Sequence, residues 1–400
     1  MKKIITLVCF FLSAGTVFGQ QTVFNILKAR ALTEAGKPDQ AISLLNSAIT
    51  EAKESSLYTC RAEAKILKGD YSGSIADYNE ANKITSFSGE YGLSRIYALK
   101  GDAATSLYHL ELSMKSFYKK SEKEILLDPA FGTIDNRQEW RQFWKKEWYS
   151  VSEKSISEIE YYISIGKVDQ SRDVLSEFKK NYDNNSDIIY AESLVNLASG
   201  NSSQVMKDVS GLLSTDPGDE KYLRVLAKAQ TEASDPAGAS TTYSQLITSG
   251  VIDAGLFLLR ADCYQKTGET EKALNDIGKY LEIYPDNMTA LRLAGKVEVK
   301  SGDNLKALQY FSENLKLHPN DPECYMDRAN SYFISRSWEM AINDYSMSLD
   351  LKPENSDAWL NKGISLLNSG KTDDACHDFR ISFRMGNKRV TDYLSRNCIK

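Results

Sequence analysis

Large apolar residues return along the second half of this chain at an interval far longer than a helical turn. Phe257, Leu291, Tyr325 and Trp359 stand 34 residues apart, and Ile277, Phe311, Tyr345 and Phe379 repeat at the same spacing. Small residues keep step at Ala261, Gly295, Ala329 and Gly363, and again at Ala273, Ala307, Ala341 and Ala375. A fixed period of this length marks stacked units, none of which buries its apolar face alone. Units are numbered from Ala254, Met288, Pro322 and Ser356. Positions 4, 7, 8 and 11 then share one face of a first helix, and positions 20, 24, 27 and 28 share one face of a second. Small residues at positions 8 and 20 allow a close antiparallel crossing. Gly268, Gly302 and Gly370 at position 15 supply the left-handed conformation that ends the first helix. Pro285, Pro319 and Pro353 at position 32 stop the second, lacking an N–H and restricting the residue before them.

The frame extends backwards to units at Glu220, Ser186 and Ser152, where Gly166 and Gly200 hold the turn and Ser234-Asp235-Pro236 replaces it once. Ile159 falls where a small residue belongs, which predicts a slightly splayed pair. Three looser units precede these, with turns at Gly36, Gly69 and Gly101. The pattern therefore predicts ten helix pairs. Between Met114 and Val151 the frame breaks. There Leu127-Asp128-Pro129-Ala130-Phe131 leads into a predicted helix with Trp140, Trp144 and Trp148 on one stripe and Phe143 beside it. This segment reads as an aromatic seam fastening two arrays, or else as an exposed partner site. After Met385, Gly386-Asn387 turns the chain into a terminal helix over 388–397. Val390, Tyr393 and Leu394 face inward, as the end of an array requires.

Spacing, small residues, turn glycine and terminal proline together resemble the tetratricopeptide (TPR) repeat. That resemblance implies an all-α, right-handed superhelical solenoid of about ten helix-turn-helix units with a carboxy-terminal capping helix. The expected organisation is a signal peptide at 1–19, a three-unit array at 22–113 and a junction at 114–151. A seven-unit array at 152–385 and a cap at 386–400 follow. The Asp-Pro-x-Phe segment followed by a tryptophan-containing helix looks like inserts in other bacterial TPR proteins. The tail, with Ala375-Cys376-His377-Asp378-Phe379 and a near-terminal Cys398, resembles the endings of exported TPR proteins of the Bacteroidetes.

Composition adds the compartment. Met1-Lys2-Lys3, an apolar run from Ile4 to Leu12 and small Gly19 have the order of a secretory signal. The run is short for a bilayer span, and no later stretch is long and apolar enough for one. Export to the periplasm, the cell surface or the medium is expected. The net charge of −5 argues against general nucleic-acid binding. Eight prolines and dispersed charges argue against extensive disorder.

Candidate chemistry is sparse. Cys376 on the last second helix and Cys398 on the cap can meet as a disulfide, the alternative being two buried thiols. Cys60, Cys263 and Cys324 lie in separate units without metal-ligand spacing, and the three histidines are scattered. Nothing reads as a nucleophile elbow, a phosphate loop or a cofactor site. No enzyme, metal or cofactor is expected.

In TPR arrays positions 2, 5, 9, 12 and 13 of the first helix line a concave groove. Here they give Lys221, Arg224 and Lys228 in one unit, Arg292, Lys296 and Lys300 in another, and Asn330 in the next. Such a locally basic groove suits an acidic peptide or protein partner. The alternative is a solvated helix face. The carboxylate clamp of chaperone-binding TPR modules is not matched, because Met326 stands where its first lysine belongs. The expected function is a non-enzymatic interaction scaffold or adaptor in the cell envelope. A holdase for exported proteins and a binder of anionic envelope polysaccharide are the alternatives.

Overall fold

The computed structural model describes residues 19–183 and 185–398, so that residues 1–18 of the expected signal peptide lie outside the described residues. Among the described residues every regular element is helical. Three pairs come first: 19–34 with Pro38–Glu51, Ser55–Leu67 with Tyr71–Ile84, and Glu90–Leu99 with Ala103–Met114. After the junction come Val151–Ser164 with Val168–Asn181, Asn185–Ala198 with Ser202–Thr215, and Glu220–Glu232 with Pro236–Thr248. Four regular pairs complete the series: Gly255–Thr267 with Thr270–Ile283, Met288–Ser301 with Asn304–Leu317, Pro322–Ile334 with Trp338–Leu351, and Ser356–Asn368 with Thr372–Arg384. The chain divides into two compact units, Met1–Leu256 and Phe257–Lys400. The division falls at the start of a regular helix pair and not at the junction.

Turn chemistry explains why the pairs fold back where they do. Gly69, Gly101 and Gly302 take φ of +81°, +75° and +87°, and Asp70, Asp102 and Asp303 follow as N-caps. Each cap carboxylate accepts a hydrogen bond from the backbone N–H three residues on, so two adjacent residues close one helix and open the next. Where the frame lacks the glycine, the geometry persists without it. Ser234 and Arg336 occupy position 15 at φ +59° and +57°.

Volume is matched across each crossing. Ala261, Ala273, Ala307, Ala329, Ala341 and Ala375 are fully buried. A Cβ on Gly295 would come within 2.4 Å of the Phe311 ring, and one on Gly363 within 2.5 Å of Phe379. The small residue at position 8 thus meets the large one at position 24, and not only the alanine at position 20. Where position 8 carries alanine, position 24 is Ile277 or Tyr345.

A second periodic feature escaped the apolar frame. Arg61 pairs with Asp77, Arg260 with Asp276, Arg328 with Asp344 and Lys362 with Asp378, always position 7 to position 23 of one unit. The three arginines bind bidentately at 2.6–2.9 Å, and Asp276 is 1% exposed. Arg61 also donates to Asn46 and Arg328 to Ser312, on the second helix of the preceding unit.

The junction differs from its expected form. Besides Glu122–Leu126 and the 3-10 turn Pro129–Thr133, the expected tryptophan helix is only Gln138–Phe143, and Trp144 caps it, so the three tryptophans do not form one helical stripe. The Trp148 indole instead folds back and donates to the Phe143 carbonyl at 2.9 Å, with its ring 4.5 Å from that of Phe143. Trp140 and Phe143 are buried with Phe131, Ile125 and Leu110, against the third helix pair. Lys119 and Lys154 connect the segment to the following helix through Glu153 and Glu147.

At the carboxy terminus a short 3-10 turn, Lys388–Val390, precedes the helix Thr391–Asn397. Val390 is buried and Tyr393 and Leu394 pack beside Phe379. A disulfide joins Cys376 to Cys398 with Cα atoms 5.5 Å apart, tying the cap to the last helix pair.

Candidate partner-binding surface

The expected groove residues lie on first helices in both units, and their surroundings differ. In the first unit Lys221 is exposed, with Nζ 4.8 Å and 5.2 Å from the ring centres of Tyr222 and Tyr190. Arg224 is half-buried between Glu220 at 2.8 Å and Asp253 at 2.9 Å. Burial works against its charge, yet these two carboxylates outweigh burial and hold its pKa above the ordinary value. Lys228 projects into solvent one turn further on.

In the second unit Arg292 Nε lies 2.6 Å from Asp327, Lys296 Nζ 3.4 Å from the same carboxylate, and Glu323 3.4 Å from Arg292. Lys352 completes this network at 2.8 Å from Glu323. Its hydrogen bond is the main cause that holds the Glu323 carboxyl below its usual range, so Glu323 is ionised at neutral pH. The charges of Arg292 and Lys296 are therefore answered by the next first helix. Asn330 is also engaged, for its Oδ1 accepts the Tyr345 hydroxyl at 2.7 Å. Asn330 thus positions a buried tyrosine. Lys300, at the carboxy end of the same helix as Arg292, is exposed and makes no ion pair among the described residues.

Apolar residues also occupy groove positions of the next unit, Met326 at position 5 and Phe333 at position 12. Ile334, at position 13 like Lys300 and one unit on, is 58% exposed. Phe333 beside it is half-buried, edge-on to Trp338 at 5.5 Å, and Met326 lies two turns earlier on the same helix. Positions 12 and 13 of consecutive first helices therefore carry Val299-Lys300 and then Phe333-Ile334, a basic step followed by an apolar one. The signal was visible in the sequence, since the same frame that selected Lys300 selects Ile334.

In the first unit the corresponding face closes on itself. Arg95 lies 2.5 Å from Glu63 and 2.8 Å from Asp128, and the Tyr91 hydroxyl donates to Asp128 at 2.9 Å. Tyr91, Arg95 and Asp128, with Lys120, Glu124, Leu127 and Pro129, line an open cavity of about 400 Å³. Cys60 and Cys324 are buried thiols, which burial pushes up to about 11 and about 12, the opposite of a reactive nucleophile. Among the described residues no group of three or more metal-binding side chains converges, and no helix is long and apolar enough to cross a membrane.

Residues 256–287 match the model of the tetratricopeptide repeat family. Among solved structures the chain is similar to a tetratricopeptide repeat protein from Parabacteroides merdae, with 19% identity over 61% of this chain and 96% of that one (TM-score 0.47). It is also similar to the Cut9–Hcn1 hetero-tetramer of APC/C, with 12% identity over 94% and 83% (TM-score 0.49). A third likeness is to YrrB, described as a TPR protein with an unusual peptide-binding site, with 15% identity over 47% and 97% (TM-score 0.39). No curated protein matches this chain.

Proposed function

We propose that this chain, a tetratricopeptide repeat protein, is a non-enzymatic scaffold of the bacterial cell envelope that holds a segment of a partner protein. The first helices of its second unit provide the surface. The observation that carries the reading is the pairing of solvent-facing Lys300 with exposed Ile334 on successive first helices, beside charges that are already matched. A partner segment with an acidic residue followed by an apolar one satisfies both, the first by ion pairing and the second by burial. Tandem units suit this task because a preformed surface pays little ordering entropy on binding. The basic, apolar and small-residue order of residues 1–19 supports export as the route to that location.

The geometry also decides which substitutions test the reading. Arg292→Glu would place a carboxylate beside Asp327 and Glu323 and disturb the fold, so loss of binding would be uninformative. Lys300→Glu with Ile334→Asp alters exposed side chains only. Mature protein crosslinked mildly in envelope extract is expected to retain one stoichiometric partner, which the double variant loses at unchanged helicity and melting temperature. Equal capture of many unrelated exported proteins by both forms would overturn this reading in favour of a holdase. Salt-sensitive retention of glycan without protein would overturn it in favour of polysaccharide binding.

A further inference from the structure

The junction turns part of the first unit's groove face into a cavity. Ser94 is the small residue at position 8 of the third helix pair, so Tyr91 and Arg95 stand at groove positions 5 and 9. Phe131 of the junction is buried against this helix with its ring 6.1 Å from that of Tyr91, and the Thr133 hydroxyl donates to the Ala98 carbonyl. Residues 120–129 are thereby held beside Tyr91 and Arg95. The cavity of about 400 Å³ between them has the size of a small-molecule site.

Arg95 and Lys120 face this cavity together with Asp128 and Glu124, so its preference rests on which of them have hydrogen bonds left to make. The carboxylates are already engaged. Asp128 Oδ1 accepts the Ala130 N–H at 3.0 Å, while Oδ2 accepts the Tyr91 hydroxyl at 2.9 Å and lies 2.8 Å from Arg95 Nε. Burial, and then Asp128, raises the pKa of the Tyr91 phenol well above its ordinary value, so the hydroxyl keeps its proton and donates. Glu124 Oε2 accepts both the N–H and the hydroxyl of Ser121 at 2.9 Å, and Oε1 faces Lys120 at 3.3 Å. The cations retain donors. Arg95 Nη1 donates to Glu63 at 2.5 Å, whereas Nη2 makes no hydrogen bond among the described residues. Lys120 makes its one long bond to Glu124 and keeps its other N–H groups. Its Nζ stands 5.8 Å from the centre of the Tyr91 ring, and Leu127, 70% exposed, adds an apolar wall.

We propose that this cavity binds a carboxylate carried on a small apolar body. The carboxylate oxygens accept from Arg95 Nη2 and Lys120 Nζ, and the apolar body covers the Tyr91 ring, Leu127 and Pro129. A cationic ligand would find each carboxylate already holding protein donors. The C-terminal carboxylate of a peptide and a free organic acid share the required chemistry. The site uses no residue of the second unit and is independent of the partner surface there.

The test is methyl NMR of the full chain labelled at leucine, with N-acetyl-leucine as the probe and its amide as the uncharged control. The Leu127 signal is identified by its loss in Leu127→Met, which keeps the apolar wall. The acid is expected to move that signal and to bind about tenfold more tightly than the amide, as one charge-assisted hydrogen bond implies. Lys120→Gln alters an exposed side chain and should weaken the acid by about the same tenfold while the amide is unaffected. N-acetyl-alanyl-alanyl-leucine carries the same acid at the end of a peptide. Tighter binding than N-acetyl-leucine would identify a chain terminus as the source, and equal or weaker binding a free acid. Equal affinity for acid and amide in the unaltered chain would overturn the proposal. So would a Leu127 signal that the acid does not move, or an unchanged affinity for the acid in folded Lys120→Gln.

Discussion

Gly295 illustrates how one side chain's absence fixes the spacing of a helix pair. The Phe311 ring occupies the space a methyl group would need, and both lie on rigid helices. Gly295→Ala should therefore destabilise the protein by about 1–3 kcal/mol, despite the better helix propensity of alanine. Phe311→Leu in the same chain should recover part of that loss, a non-additivity that chemical denaturation of the single and double variants would measure. Additive losses would mean that the two residues do not share one space. The sequence made position 8 legible as small, because Ala261, Gly295, Ala329 and Gly363 recur in register. It did not reveal whether the demand came from position 20 or position 24, since periodicity names a face and not the atom that meets it. Arg336 shows the converse. The backbone at position 15 turns left-handed even with arginine, because the helices on both sides determine it.

At the scale of the element, the ion pairs from position 7 to position 23 join the two helices of a unit and, through Arg61 and Arg328, reach the unit before. Apolar counting passed over them, though Arg or Lys at position 7 stands with Asp at position 23 in four units of the sequence frame. They are not equivalent. Asp276 receives two bonds from Arg260, whereas Lys362 lies 3.3 Å from Asp378 outside hydrogen-bonding geometry, leaving one Asp378 oxygen buried without a donor. Burial accordingly raises the pKa of Asp378, and Lys362 offsets this only in part. A carboxyl raised in the folded state binds its proton more tightly there than in the unfolded chain. Its contribution is full below the unfolded value of about 3.9 and is lost as pH rises through the folded value. Asp378→Asn should therefore hold or raise the melting temperature at pH 7, with the gain shrinking toward pH 4. Asp276→Asn should cost about 3 kcal/mol at pH 7 by leaving the Arg260 charge uncompensated. Scanning calorimetry at the two pH values separates these outcomes, and equal losses from both substitutions would refute the distinction.

For the whole molecule, the ten helix pairs among the described residues and the cap were legible because period, turn and small residues agree in most units. The junction was legible as an aromatic cluster and not as a helix. A stripe of three tryptophans fits a helical period, but the chain turns at Trp144 to bring Trp148 back onto Phe143. The candidate groove was the least legible part. Sequence position marks which residues face one way, and it cannot show that Asp327 and Glu323 of the following unit neutralise Arg292 and Lys296. What remains for a partner is the step from Lys300 to Ile334. The most direct measurement is photo-crosslinking in growing cells from a photoreactive residue placed at position 300 or 334, with exposed position 145 on the junction as reference. The scaffold account predicts one discrete adduct from positions 300 and 334 and none of that size from position 145. The same smear of adducts from all three positions, or no adduct at 300 and 334, would contradict it.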